Sequence, residues 1–240
     1  MAAVILETQG LTRRFGTLRA VDGVDFTLRE GEIRAIIGPN GAGKTTFVSL
    51  LSGRIAPTAG RIAFMGRDVT GDPAWKRVRA GIAYTFQITS IYPALPVAEN
   101  VALAARTGAR GAGGGTVAAR TADALARTGL ADRAAERAGT LAYGHQRLLE
   151  IAMGLALAPR LLILDEPTQG LSDAEIDGFC DLVRQIARTA TVLLIEHNMA
   201  VVMRLATRIT VLEAGRILAE GSPAAIRADP AVQAAYLGAG

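Results

Sequence analysis

The chain has 240 residues and a mass of 25.0 kDa, enough for one large α/β domain with a real core. Half of the residues are hydrophobic and the mean hydropathy is +0.28, yet apolar runs such as residues 161–164 and 192–195 are far short of the roughly 20 residues that span a bilayer. Together with a charged fraction of 20%, these runs exclude a membrane-embedded chain and a disordered one.

The balance of 26 basic against 22 acidic residues gives +4, and only Lys44 and Lys76 are lysines. A small surplus without a run of like charges points weakly to an anionic partner such as a phosphate or a membrane surface, not to nucleic acid. Cys180 is the single cysteine, and the start MAAVILETQG has neither a basic segment nor a long apolar one. The cytoplasm is therefore the expected compartment.

Short strands are expected at 4–7, at 18–28 where Val24, Phe26 and Leu28 alternate, at 33–37, at 62–65 and at 82–86. Between Val97 and Pro159 the texture changes to alanine-rich helix, with Val97, Val101 and Ala104 on one face and Leu125 beyond a connection at 108–115. That connection holds five glycines and is expected to be a flexible surface loop. Strand and helix then alternate, with strands at 161–164, 191–195 and 209–212 and helices at 173–188 and 199–205. In the first of these helices Ile176, Phe179, Cys180, Val183 and Ile186 keep the spacing of one buried face, which makes Cys180 a small core residue. The short apolar strands suit a parallel sheet buried on both faces, so the architecture reads as an α/β core with a mostly helical insert.

Gly38-Pro39-Asn40-Gly41-Ala42-Gly43-Lys44-Thr45 follows the strand at 33–37 and precedes a helical stretch at 46–52 that begins with Thr46. This is the phosphate-loop pattern in its strand–loop–helix context. Glycines let successive backbone N–H groups turn inward around an anion, and the helix adds the positive end of its dipole. Lys44 would reach the β- and γ-phosphates, and the Thr45 hydroxyl would ligate Mg2+. Chance would produce the pattern in a chain of this composition with odds on the order of a few in a thousand. A second element, Leu161-Leu162-Ile163-Leu164-Asp165-Glu166-Pro167, is an apolar strand ending in two acids. Asp165 suits the Mg2+ shell and Glu166 the polarisation of an attacking water, although adjacent acids at a strand end can also cap the following helix.

Between the two lies a glycine-containing turn that opens a helix, Leu141-Ala142-Tyr143-Gly144-His145-Gln146-Arg147. The three elements in this order resemble the nucleotide-binding subunit of an ATP-binding cassette transporter. The resemblance implies a P-loop core with a mostly parallel sheet, an N-terminal antiparallel β part and an inserted helical subdomain. It spans 1–240 as one ATPase domain: 1–87 and 159–240 form the core, and 88–158 the helical subdomain that carries the signature. By the same resemblance Phe15 stacks on adenine with Val21 packing nearby, and Gln87 senses Mg2+ and the attacking water. His197 contacts the γ-phosphate, and Gly170-Leu171-Ser172-Asp173 faces a second subunit. Each has a plainer alternative: a buried aromatic for Phe15, a solvated turn residue for Gln87, a helix-capping residue for His197.

Within the family the texture resembles the ATPases that drive uptake of branched-chain amino acids and related amides. The carriers are Thr85-Phe86-Gln87-Ile88-Thr89-Ser90-Ile91, the Tyr143-Gly144 pair, Ile195-Glu196-His197-Asn198-Met199, and a tail with Ala228-Asp229-Pro230 and Tyr236-Leu237-Gly238. The resemblance implies ATP and Mg2+ as cofactors, membrane permease subunits and a second ATPase subunit as partners, and indirectly a solute-binding protein, on the cytoplasmic face of the membrane. An exporter or lipid-translocating ATPase, or an ATP-gated interaction module with weak turnover, are the alternatives. The chain departs from the family at the signature, where serine is usual at Ala142 and glutamine at His145. Loss of a hydrogen bond to a charged group costs roughly 1.5–3 kcal/mol, so weakened rather than abolished hydrolysis is expected at the site this signature completes.

Overall fold

The computed structural model describes residues 2–85, 90–107 and 115–237, the last two without their side chains. Strands β1 (Val4–Phe15), β2 (Leu18–Arg29), β4 (Ala59–Phe64) and β5 (Arg67–Asp68) form an antiparallel sheet in the order β2-β1-β4-β5. A second sheet contains β3 (Ile33–Ile37), β6 (Ile82–Thr85), β7 (Leu161–Asp165), β8 (Thr191–Ile195), β9 (Arg208–Glu213) and β10 (Arg216–Gly221), in the order β10-β9-β3-β8-β7-β6. Only β10 runs antiparallel to its neighbour. The expected mixture of a mostly parallel sheet, an antiparallel part and a helical insert is what the fold contains.

Every residue of β3, β7 and β8 is buried, because helices and the small sheet cover both faces of the large one. On one face α1 (Lys44–Leu51) fills the space between the sheets, and its Phe47 meets Phe26 of β2 edge to face at 5.4 Å. On the other, α3 (Val97–Thr107), α4 (Val117–Arg127) and α5 (Tyr143–Ala156) pack on one another and, with α6 (Asp173–Ile186), close a second apolar cluster. The helix α7 (Met199–Leu205) covers the β9 side together with α8 (Pro223–Ala228) and α9 (Pro230–Leu237).

Several details differ from the sequence expectations. The first strand runs on to Phe15 because glycine bends and register shifts let the β1–β2 ladder continue. On α3 the buried positions are Val97, Asn100, Val101 and Ala105, with Ala104 only partly covered. Asn100 is tolerated there because its side chain is spent on Tyr92, Leu95 and Pro96 backbone groups. The α1 helix starts at Lys44, earlier than the sequence suggests. Of the glycine-rich connection, residues 108–114 lie outside the described residues.

Arg77 on α2 (Ala74–Ala80) holds the far end of α1. It is 1% exposed and donates to the carbonyls of Leu50, Leu51, Asp72 and Thr70. The first two are carbonyls of the α1 C-terminus, of which Leu50 also accepts the Gly53 N–H, and α1 has no basic residue in its own last turn. Burial lowers the guanidinium pKa and Asp72 opposes that shift. Arg77→Ala leaves several buried acceptors unpaired, and is expected to lower the unfolding free energy by roughly 3 kcal/mol in urea titration. Arg77→Lys should recover part of that loss.

Candidate nucleotide site

The loop between β3 and α1 is held from both sides by backbone. A Cβ on Gly38 would overlap the carbonyl oxygen of Leu212 in β9, and one on Gly43 would overlap that of Ala20 in β2. Gly43 stands at φ 96 as the N-cap of α1. The Ala42 side chain is buried and Gly215 N–H donates to its carbonyl, so only the backbone of Ala42 serves the loop's inner surface. Lys44 Nζ folds back on the loop, donating to the carbonyls of Gly38 at 2.7 Å and Pro39 at 2.9 Å. Half-burial pushes its pKa down, against the pull of the Glu166 and Asp165 carboxylates. Asn40, Gly41 and Thr45 are exposed and Thr46 partly so, which leaves the first turn of α1 open.

The end of β7 places the two acids in different surroundings. Asp165 is 2% exposed and accepts a 2.5 Å hydrogen bond from the Tyr84 hydroxyl of β6. Burial raises its pKa while the Tyr84 bond opposes that shift. Glu166 takes a left-handed backbone at φ 46, anchored by its N–H to the Ile195 carbonyl at 2.9 Å. Its carboxylate is partly exposed and lies 4.0 Å from Nδ1 of His197, whose own side chain is open to solvent.

Glu196 explains how His197 is held. This buried carboxylate accepts from the N–H groups of His197 and Asn198 at 2.9 and 3.0 Å, and from both the N–H and the hydroxyl of Thr168. It therefore clamps the segments after β7 and β8 to each other. Neither Glu196 nor Tyr84 stands out in the sequence as a site residue. A buried acid directly before His197 and a tyrosine inside an apolar strand are the only signals they leave.

Phe15, at the end of β1, is 46% exposed with the Arg13 guanidinium 4.6 Å from its ring centre, a solvent-facing platform rather than a core aromatic. Val21 lies in the core. Gln87 is outside the described residues. The signature residues are placed against α6 and the turn before it. Gly144 is buried so close to the Glu175 carboxylate and Leu171 that a Cβ would overlap the former, and Tyr143 lies against Gly170. Glu175 is itself fixed by a reciprocal capping box with Ser172, which holds its carboxyl below the usual range, helped by His145. Ala142 is the N-cap of α5 and provides no side-chain cap.

The structure thus gathers Lys44, Asp165, Glu166 and His197 around an open helix N-terminus, an arrangement able to hold a polyanion and polarise a water against it. The donors suit a hard cation: a hydroxyl at exposed Thr45 and a carboxylate at Asp165 supply oxygen.

Comparison with known proteins agrees. A family model described as ABC transporter matches residues 21–169, and one described as branched-chain amino acid ATP-binding cassette transporter matches residues 216–240. The chain is 40% identical to the high-affinity branched-chain amino acid transport ATP-binding protein BraF of Pseudomonas aeruginosa, over 99% of each chain. It is 38% identical to the corresponding protein LivG of Escherichia coli, again over 99% of each. Among solved structures, the ADP conformation of an ATP-binding cassette of an ABC transporter superposes with a TM-score of 0.87 at 26% identity, covering 98% of this chain and 99% of that one. A dimeric post-hydrolysis cassette bound to ADP and phosphate gives 0.80 at 26% identity, covering 91% and 99%. With matches of this extent laid over a phosphate loop and an acidic strand end in the expected order, the chain belongs to the ATP-binding cassette family of transport ATPases.

Proposed function

We propose that this chain is the ATP-hydrolysing subunit of an importer, that it pairs with a second cassette around ATP, and that it drives uptake of branched-chain amino acids or related amides through a membrane permease. The observation that carries the reading is full-length similarity to BraF and LivG, supported by the match over residues 216–240.

In this reading the backbone N–H groups of 38–45 and the α1 N-terminus cradle the β- and γ-phosphates. Lys44 exchanges its two carbonyl bonds for phosphate oxygens, which its flexible stem permits. Thr45 and Asp165 hold Mg2+, with Gln87 reaching the same shell. When bound, that ion would supply positive charge to neutralise the phosphates. Glu166 polarises the attacking water, and His197, held at its backbone by Glu196, contacts the γ-phosphate. Phe15 offers its face to adenine.

Ala142, Tyr143, Gly144 and His145 serve the ATP of the partner cassette. Because α5 begins without a side-chain cap, its first N–H groups are available to a γ-phosphate across the interface, and nucleotide acts as an electrostatic bond between the two subunits. Hydrolysis weakens that bond and the pair opens. Ala142→Ser supplies both a cap and a hydroxyl. It is expected to stabilise the fold by about 1 kcal/mol, and to speed single-turnover hydrolysis at the site it completes about tenfold. No change at either site of the assembled transporter would show that the Ala142 position does not limit turnover.

The permease docks at a cleft of about 280 Å³ lined by Arg54, Tyr84, Ser90, Ala104, Glu150 and Met153 among others. No helix among the described residues is long and apolar enough to cross a membrane, so in this reading attachment to the cytoplasmic face runs through that partner. The test is purification of the tagged chain from its native membranes with sequencing of what accompanies it, together with leucine uptake in a strain lacking the gene. Recovery of a permease and a second cassette, with lost uptake, supports the reading. Recovery of no membrane protein overturns it.

A further inference from the structure

Asp165 is the buried acid of the nucleotide site, yet the group that fixes its carboxylate lies on another strand. Tyr84 pairs with Ile163 in the parallel β6–β7 ladder, so its side chain leaves the sheet on the same face as Asp165, two residues further along β7. The phenol donates to Asp165 Oδ2 at 2.5 Å. Arg54, just beyond α1, donates from Nη1 to the Tyr84 oxygen at 3.2 Å and stacks its guanidinium 5.2 Å from the ring centre. A phenol oxygen that accepts from a guanidinium has its own proton free to point elsewhere, and the carboxylate is the acceptor within reach.

We propose that Tyr84 is a positioning residue for Mg2+-dependent nucleotide binding: its hydroxyl, oriented by Arg54, fixes the Asp165 carboxylate in the posture the metal shell requires. The inference rests on the assignment of Asp165 to that shell. It adds a device that no phosphate-loop or acidic-pair motif encodes. A carboxylate freed from the phenol can rotate about its Cα–Cβ and Cβ–Cγ bonds, so the cost of ordering it moves from folding to metal binding. The same two side chains wall the cleft described above, so the posture of the metal carboxylate is tied to the wall of that cleft.

The experiment measures the affinity of a fluorescent ATP analogue for the intact chain in EDTA and in Mg2+, and takes the ratio. Tyr84→Phe keeps the ring and removes only the hydroxyl. Affinity in EDTA should stay within twofold of the parent, which also checks the fold, while the Mg2+ enhancement falls about tenfold. Arg54→Met should lower the enhancement less, and adding it to Tyr84→Phe should cost less than it does alone, because the part of its effect that runs through the phenol is already gone and only its charge near Asp165 remains. The proposal is overturned if Tyr84→Phe leaves the enhancement within twofold while Asp165→Asn abolishes it, or if Arg54→Met adds its full effect to Tyr84→Phe. If Asp165→Asn itself leaves the enhancement intact, the Mg2+ assignment fails and takes this proposal with it.

Discussion

Replacing Glu166 with glutamine is expected to slow steady-state ATP hydrolysis about a thousandfold, the middle of the range for losing a positioned general base, while leaving ATP affinity within a few-fold of the parent. The structure supports so clean a separation. Glutamine has the volume of glutamate, and the backbone there is fixed by the Glu166 N–H to Ile195 carbonyl bond, so the left-handed turn after β7 should survive. Asp165 keeps its tyrosine partner and Lys44 keeps its loop carbonyls. With binding intact and hydrolysis stopped, the paired form should accumulate in ATP, visible as a doubling of mass in gel filtration with the partner cassette, or with itself if it pairs with its own copy. An interaction module without useful turnover would show no difference between Glu166 and glutamine. That outcome would remove Glu166 from the mechanism.

How much of this was legible beforehand depended on where the interacting partners lie in the sequence. The phosphate loop is local: its glycines, lysine and threonine fall within eight consecutive residues, and the strand and helix that frame it are adjacent. Strands β3 and β8 and helix α7 likewise have the limits expected, because apolar run and boundary coincide. Buried charge was invisible. Arg34 sits inside β3 at 3% exposure, paired with Glu32 and with Glu220, which is 186 residues away in the chain. Its guanidinium also meets Thr210, the Thr27 carbonyl and the face of Phe26. No pattern of period two or 3.6 encodes a partner at such a distance. The same holds for Tyr84 with Asp165, 81 residues apart, and for Glu196 with Thr168. Strand β10 escaped notice for another reason: as a half-exposed edge its alternation is weak, and Ala219 and Gly221 carry little β signal.

The second large effect concerns the loop itself, where three glycines that look alike in sequence should respond differently. Gly41 has a left-handed backbone at φ 78 but open space around its Cα, so Gly41→Ala meets only conformational strain, about 1–2 kcal/mol. At Gly43 the strain is joined by overlap with the Ala20 carbonyl oxygen, and at Gly38 by overlap with that of Leu212. These obstacles are main-chain atoms of β2 and β9, Ala20 at a register shift between paired Arg19 and Val21 and Leu212 paired with Ile217 of β10, so neither can yield as a flexible side chain would. The loop must move instead, and its N–H groups with it. Hydrogen bonds to phosphate weaken steeply once donor directions depart from the anion, so a shift of an ångström shared by several donors multiplies their losses. Gly43→Ala and Gly38→Ala are each expected to reduce ATP affinity more than a hundredfold, measured by fluorescent analogue titration, against tenfold or less for Gly41→Ala. Gly43→Ala should also lower stability without nucleotide, since Gly43 caps α1 and α1 fills the space between the two sheets. Equal losses at Gly41 and Gly43 would mean that glycine flexibility alone, and not the close approach of β2, sets the shape of the phosphate cradle.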